Sequence, residues 1–166
     1  RENCAEFAPL LADAKRQRAD LVVMGETIPS ANVSKKPHET AESIPGPSTD
    51  YFAAQAREHA LHLVYSLYER EGRVIYNTAV LIDPAGNIVG KYRKVCLPHA
   101  EVEAGVMPGD SYPVFQTKLG NIGMTDSFPR SHVHSPVAVR KLSRGPCGAA
   151  IHCSPRLART KTVYSW

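Results

Sequence analysis

The sequence predicts an α+β fold in which β-sheets are covered by helices on their outer faces. Helical periodicity occurs near both ends of the chain, and the middle holds a run of strands with short connections. The length of 166 residues fits one domain, and 43% hydrophobic with 22% charged residues is enough apolar material for a core. This order of elements favours a layered sandwich.

The first two elements are a helix and a buried strand. Residues 4–18 repeat apolar side chains at helical spacing, and Pro9 places the start of the regular helix near itself. The strand Leu21–Met24 is apolar throughout, which indicates that both of its faces are covered. The chain then turns at Gly25 and places the carboxylate of Glu26 at the end of the strand.

A long loop and a second helix follow. Residues 29–48 contain four prolines and four serines and show no helical or strand periodicity, so we expect a loop, and a loop of this length is more often functional than idle. Ser48 is a candidate cap for the next helix, whose first turn contains Asp50.

The rest of the chain predicts antiparallel strands and a last helix. Short turns join three strands, and a tight turn joins a further pair, so sequence neighbours should pair. A helical pattern returns near the end and stops at Gly145, a plausible C-cap. The predicted strands are 61–68, 74–82, 88–92, 112–117 and 120–124, and the predicted helix is 136–145.

Composition argues against several classes of partner. The net charge is +4 and the basic residues are scattered, which does not favour nucleic-acid binding. No apolar run reaches the roughly 18 residues of a membrane helix. The four cysteines form no CxxC pair, which is typical of reduced thiols in a cytoplasmic protein.

Charged side chains at strand ends are the candidates for chemistry. Lys91, Arg93 and Lys94 end one strand, and a short acidic segment with Glu101 and Glu103 follows. Taken alone, this is a solvated charged loop. Taken with Glu26, a lysine and carboxylates could share one pocket, shift each other's pKa values and serve as oxyanion stabiliser and general base.

Several of these segments together resemble the carbon–nitrogen hydrolases of the nitrilase superfamily. The matching pieces are "ADLVVMGET", "AESIPGPST", "YEREGRVIYNTAVLIDPAGNIVGKYRKVCLP", "EAGVMPGDSYPVF" and "GNIGM", in the family's order. The resemblance is good over residues 5–125 and degraded over 126–166. It implies one partial domain over 1–166, a four-layer αββα sandwich incomplete at both ends, and pairing into a homodimer.

The resemblance also implies catalytic residues. Glu26 matches the general base, and Lys94 matches the lysine that faces the oxyanion. Glu103 is the choice for the second glutamate, with Glu101 as the close alternative. The implied substrate is a small amide, nitrile or N-carbamoyl compound, and the implied thiol mechanism needs no metal or organic cofactor.

The family's nucleophilic cysteine has no counterpart at its expected position. The sequence reads "GNIGMTDSFPR" over 120–130, and Cys4, Cys96, Cys147 and Cys153 lie elsewhere. We therefore expect a chain with little or no hydrolase activity. The alternatives are a non-catalytic protein that keeps the pocket or the dimer surface, and a gene fragment without function, since the chain opens at Arg1 inside a predicted helix.

Overall fold

The computed structural model describes residues 2–31, 33–126, 137–142 and 160–162. The helices are α1 (Glu2–Ala5), α2 (Ala8–Arg16), α3 (Pro37–Thr40), α4 (Pro47–His59) and α5 (His99–Glu103), with a 3₁₀ turn at Ile28–Ser30. The strands are β1 (Leu21–Val23), β2 (His62–Glu71), β3 (Val74–Ile82), β4 (Ile88–Arg93), β5 (Val106–Met107), β6 (Val114–Thr117), β7 (Gly120–Asp126), β8 (Val137–Leu142) and β9 (Thr160–Thr162).

The larger sheet, sheet A, has the strand order β4-β3-β2-β1-β9, and β5 also pairs with β3. The predicted meander is confirmed, because β2, β3 and β4 pair antiparallel in sequence order. The β2–β3 turn is tight, with Glu71 opposite Val74 and Gly72 at a φ of 60°, a conformation that suits glycine. In contrast, β1 pairs parallel with β2 and with β9.

Sheet A carries a different hydrophobic core on each face, because successive strand residues point to opposite sides. One core packs sheet A against the helices and includes Leu11, Phe52 and Tyr65. The other lies between sheet A and the smaller sheet and includes Leu81 and Tyr92 of sheet A with Ile122 and Met124 of β7. Burial on both faces confirms the interpretation of the apolar run at residues 21–24.

The smaller sheet, sheet B, has the order β6-β7-β8, all antiparallel. The predicted hairpin is confirmed, since β6 and β7 pair with Thr117 opposite Gly120. The predicted helix at 136–145 is wrong over its described part, because Val137–Leu142 is a strand paired with β7. Valines alternate there at 137 and 139, and an edge of β7 is available for pairing, so strand pairing overrides the weak helical pattern.

The predicted loop at 29–48 contains ordered structure. The helix α3 interrupts it, and Glu42 forms an isolated bridge with Glu69 of β2. The proposed capping role of Ser48 is wrong, because α4 already begins at Pro47. Instead Ser48 donates both its N–H and its hydroxyl to the carboxylate of Glu42, at 2.8 and 2.7 Å.

The α+β class is confirmed, and three layers lie within the described residues. These layers are the helices α1, α2 and α4, then sheet A, then sheet B. The part of the chain that the structure describes contains no helical layer on the far side of sheet B, as expected for a four-layer sandwich that is incomplete.

An ionic cluster lies on the helix-facing side of β2, β3 and β4. The carboxylate of Glu69 is 2% exposed and accepts two hydrogen bonds of 2.9 Å from Arg93, one from Lys91 and one of 2.8 Å from Thr78. Arg93 also pairs with Glu71 at 2.6 Å. The cluster ties the end of β4 to the neighbouring strands one residue before Lys94.

We predict that Glu69 makes stability fall steeply in acid. Burial alone would raise the pKa of Glu69, but hydrogen bonds from Arg93 and Lys91 outweigh it and lower the pKa from 4.5 to about 2. The stabilisation is therefore complete above pH 4.5 and is lost as pH falls toward 2. Glu69→Gln should lower the free energy of unfolding by about 3 kcal/mol at neutral pH.

Urea denaturation from pH 7 to pH 2 measures the difference in free energy of unfolding between the wild type and Glu69→Gln. This difference should shrink in acid as the carboxylate of Glu69 in the wild type is protonated. The matched control is Glu71→Gln, because Glu71 contacts the same arginine but is 57% exposed, and its loss should be much smaller. Equal losses of unfolding free energy in Glu69→Gln and Glu71→Gln would contradict the stabilising role given to Glu69.

Candidate functional site

Glu26 lies in a constrained turn directly after β1. The strand pairing continues to Met24, whose N–H donates to Val64 O at 2.8 Å. Thr27 then adopts a left-handed conformation with a φ of 48°, which is unfavourable for a β-branched residue. The N–H of Thr27 donates to the buried hydroxyl of Ser66 at 2.6 Å. This contact holds the turn that directs Glu26.

Lys94 follows the last residue of β4 and reaches Glu26. Its N–H donates to Asn77 O at 2.8 Å, which extends the β3–β4 pairing by one residue. Its Nζ atom lies 2.7 Å from Glu26 Oε1 and 3.1 Å from Glu101 Oε2. The structure thus brings together the two residues predicted as base and oxyanion-facing lysine.

The second carboxylate at Lys94 belongs to Glu101, and Glu103 lies elsewhere. The side chain of Glu101 is 14% exposed, whereas that of Glu103 is 67% exposed and pairs with His99 at 3.1 Å. Both residues lie on the short helix α5, two positions apart, so they point to different sides of it. The choice of Glu103 over Glu101 does not match this geometry.

Asn77 of β3 was not among the sequence candidates, although it makes hydrogen bonds to Glu26, Glu101 and Lys94. Its Nδ2 atom donates to Glu26 Oε1 at 2.6 Å and to Glu101 Oε1 at 2.7 Å. Asn77 is 3% exposed. A signal was available in the sequence, because an asparagine within the apolar strand "VIYNTAVLI" needs polar partners when it is buried.

The three charged side chains form what we call the Lys94 cluster, namely Glu26, Lys94 and Glu101. Burial would lower the pKa of Lys94, but the two carboxylates outweigh it and raise the pKa, so the ammonium stays charged. Burial and the charges of Glu101 and Glu26 raise the pKa of nearby Tyr68 to about 12, so it stays a neutral phenol. The cluster carries two negative charges and one positive charge.

The two described cysteines differ in their surroundings, and Cys96 lies two residues after Lys94 in the chain. Cys4 is in the core on the helical side of sheet A, where burial raises its pKa, and Cys96 is exposed with its Sγ atom 4.0 Å from Tyr112 Oη. Cys147, Cys153 and residues 127–130 lie outside the described residues.

Two further searches cover the described residues only. Within them, no group of three or more histidine, cysteine, aspartate or glutamate side chains is placed to hold a metal ion. No described helix combines the length and the apolar composition needed to cross a bilayer.

Comparison with known proteins agrees with the fold. A bifunctional nitrilase/nitrile hydratase of Lupinus angustifolius is 32% identical over 123 residues, which are 73% of this chain and 33% of that protein. The structure of a carbon–nitrogen hydrolase from Helicobacter pylori matches 72% of this chain and 44% of its own, with 25% identity and a TM-score of 0.62.

A second solved structure is an amidase mutant from Nesterenkonia with acrylamide added to its active-site cysteine. It matches 74% of this chain and 49% of its own, with 25% identity and a TM-score of 0.57. The chain therefore spans a third to a half of the length of these proteins. The family model for carbon–nitrogen hydrolases matches residues 2–126. The chain belongs to the carbon–nitrogen hydrolase family.

Proposed function

We propose that this chain carries the acid–base and oxyanion-stabilising half of a hydrolase site for non-peptide carbon–nitrogen bonds. The observation that carries the proposal is the ammonium of Lys94, 2.7 Å from Glu26 and 3.1 Å from Glu101 at the end of sheet A. The three side chains are 12–19% exposed, so they are largely desolvated but still reachable by a small molecule. The proposed substrates are small amides, nitriles and N-carbamoyl compounds.

The proposed roles follow from the charges. In the thiol route a sulfur attacks the amide carbon, and the carbonyl π electrons move to oxygen. Lys94 would stabilise that negative oxygen, and Glu26 would take the thiol proton and give it to the departing amine. Water would then cleave the thioester to the carboxylic acid. Glu101 takes the place proposed for Glu103, because Glu101 contacts Lys94.

We also propose that this chain turns over little or no substrate. The segment "GNIGMTDSFPR" has no cysteine, Cys4 is buried in the core on the helical side of sheet A, and Cys96 is exposed. A second candidate function is binding without turnover. The assembled Lys94 cluster favours it, since the charged side chains remain together in a chain without a cysteine in that segment.

We further propose that the protein is cytoplasmic and pairs with a second copy of itself. Both described cysteines are free thiols, which supports a reducing, cytoplasmic environment. Pairing with a second copy rests on the family resemblance, and sedimentation equilibrium would test it.

We predict that the pKa of Lys94 depends on Glu101 and not on Glu103. In protein carrying isotope-labelled lysine, NMR should show Lys94 titrating above its ordinary value of 10.5. Glu101→Gln should lower this pKa because one paired carboxylate is lost. Glu103→Gln is the matched control on the same helix and should leave it unchanged. The reverse pattern would restore Glu103 as the second glutamate.

We predict weak binding of small amides without release of ammonia. Titration of the lysine-labelled protein with propionamide should shift the NMR signal of Lys94. Glu101→Gln should weaken binding about tenfold, since a hydrogen bond to a charged group is lost, whereas Glu103→Gln should not. Thiol-dependent ammonia release would overturn the proposed inactivity, and unchanged spectra at saturating amide would overturn the proposed site.

A further inference from the structure

Asn77 makes hydrogen bonds to all three members of the Lys94 cluster. Its side-chain nitrogen has two protons, and one goes to Glu26 at 2.6 Å while the other goes to Glu101 at 2.7 Å. Its backbone carbonyl accepts the N–H of Lys94 at 2.8 Å. One residue therefore links segments that are far apart in the chain.

The strand that carries Asn77 is a rigid base for these contacts. β3 is paired with β2 on one side and with β4 and β5 on the other. Tyr68 lies directly opposite Asn77 in the register, and the hydroxyl of Thr78, the next residue, donates to the carboxylate of Glu69 on the other face. The backbone position of Asn77 is thus fixed by strand pairing on both sides of β3.

The charge balance requires a neutral donor at this position. The groups that face Asn77 are Glu26 after β1, Glu101 on α5, Lys94 after β4 and Tyr68 on β2. Two carboxylates share a single ammonium, so they repel each other unless further donors lie between them. An aspartate at position 77 would have the same shape, but it would add a third negative charge and remove two donated protons.

We propose that Asn77 is a positioning residue that holds the two carboxylates of the Lys94 cluster against one ammonium. The role of the two carboxylates in hydrolysis rests on the proposed function, whereas the way in which Asn77 holds them does not. An asparagine therefore serves here because it donates one proton to each carboxylate without adding charge.

The substitution Asn77→Asp tests the proposal through its pH dependence. At pH 8 the melting temperature should fall by about 5 °C, because three carboxylates then surround one ammonium. At pH 5 the fall in melting temperature should be at most half as large, since the introduced carboxyl can then take a proton and become a donor. A purely steric role predicts a deficit that does not change with pH.

Asn87→Asp is the matched control. Asn87 also donates its side-chain N–H to a carboxylate, that of Asp83 at 3.1 Å, but it lies on an exposed turn. The fall in melting temperature that Asn87→Asp causes should be small at both pH values. A deficit in Asn77→Asp that is equal at pH 5 and pH 8, or no larger than that of Asn87→Asp, would overturn the proposal.

A second variant decides the question if Asn77→Asp does not fold at pH 8. The double substitution Asn77→Asp with Glu101→Gln exchanges amide and carboxylate and restores the charge balance. This double variant should fold at pH 8 and recover at least half of the stability that Asn77→Asp loses. Failure to do so would overturn the proposal. These measurements use no ligand, so a negative amide titration would count against the proposed function alone.

Discussion

One ammonium serves two carboxylates at the end of sheet A, and much of the described structure acts to make this arrangement possible. Glu26 and Glu101 come from distant parts of the chain and carry like charges, so they approach each other only where Lys94 offsets their repulsion. Each of the three also loses much of its hydration, which is unfavourable for charged groups. The arrangement therefore needs support from strand ends, from the turn at Thr27 and from the neutral donor Asn77.

The alternation of side chains along three strands places two charged clusters on opposite faces of sheet A. Tyr68, Asn77 and Lys94 lie on the face of sheet A toward sheet B, and each has a neighbour in sequence that belongs to the opposite face. Those neighbours, Glu69, Thr78 and Arg93, form the ionic cluster under the helices. The buried and fully paired Glu69 fixes the strand ends, while the Lys94 cluster stays accessible with a net negative charge. Rigidity on one face thus preorganises the groups on the other.

The sequence predicted the features that depend on local patterns of residues. The strands, their hairpins and the residues at strand ends, Glu26 and Lys94, follow from hydrophobic pattern and motif. The glutamate that contacts Lys94 could not be predicted in this way, because residues 101 and 103 lie about 200° apart on a helix, and which one faces inward depends on how that short helix packs. Asn77 was missed because its partners come from remote segments. The strand at Val137–Leu142 was missed because an available edge of β7 outweighs a local helical pattern.

The most direct test of the account is a double-mutant cycle between Glu26 and Lys94. The free energy of unfolding in urea at pH 7 is measured for the wild type, Glu26→Gln, Lys94→Met and the double variant. The account predicts a coupling of at least about 1 kcal/mol, because the two groups are in direct contact and largely desolvated. The same cycle between Glu103 and Lys94 should be additive. A Glu26–Lys94 coupling indistinguishable from zero would contradict the claim that these side chains share one site.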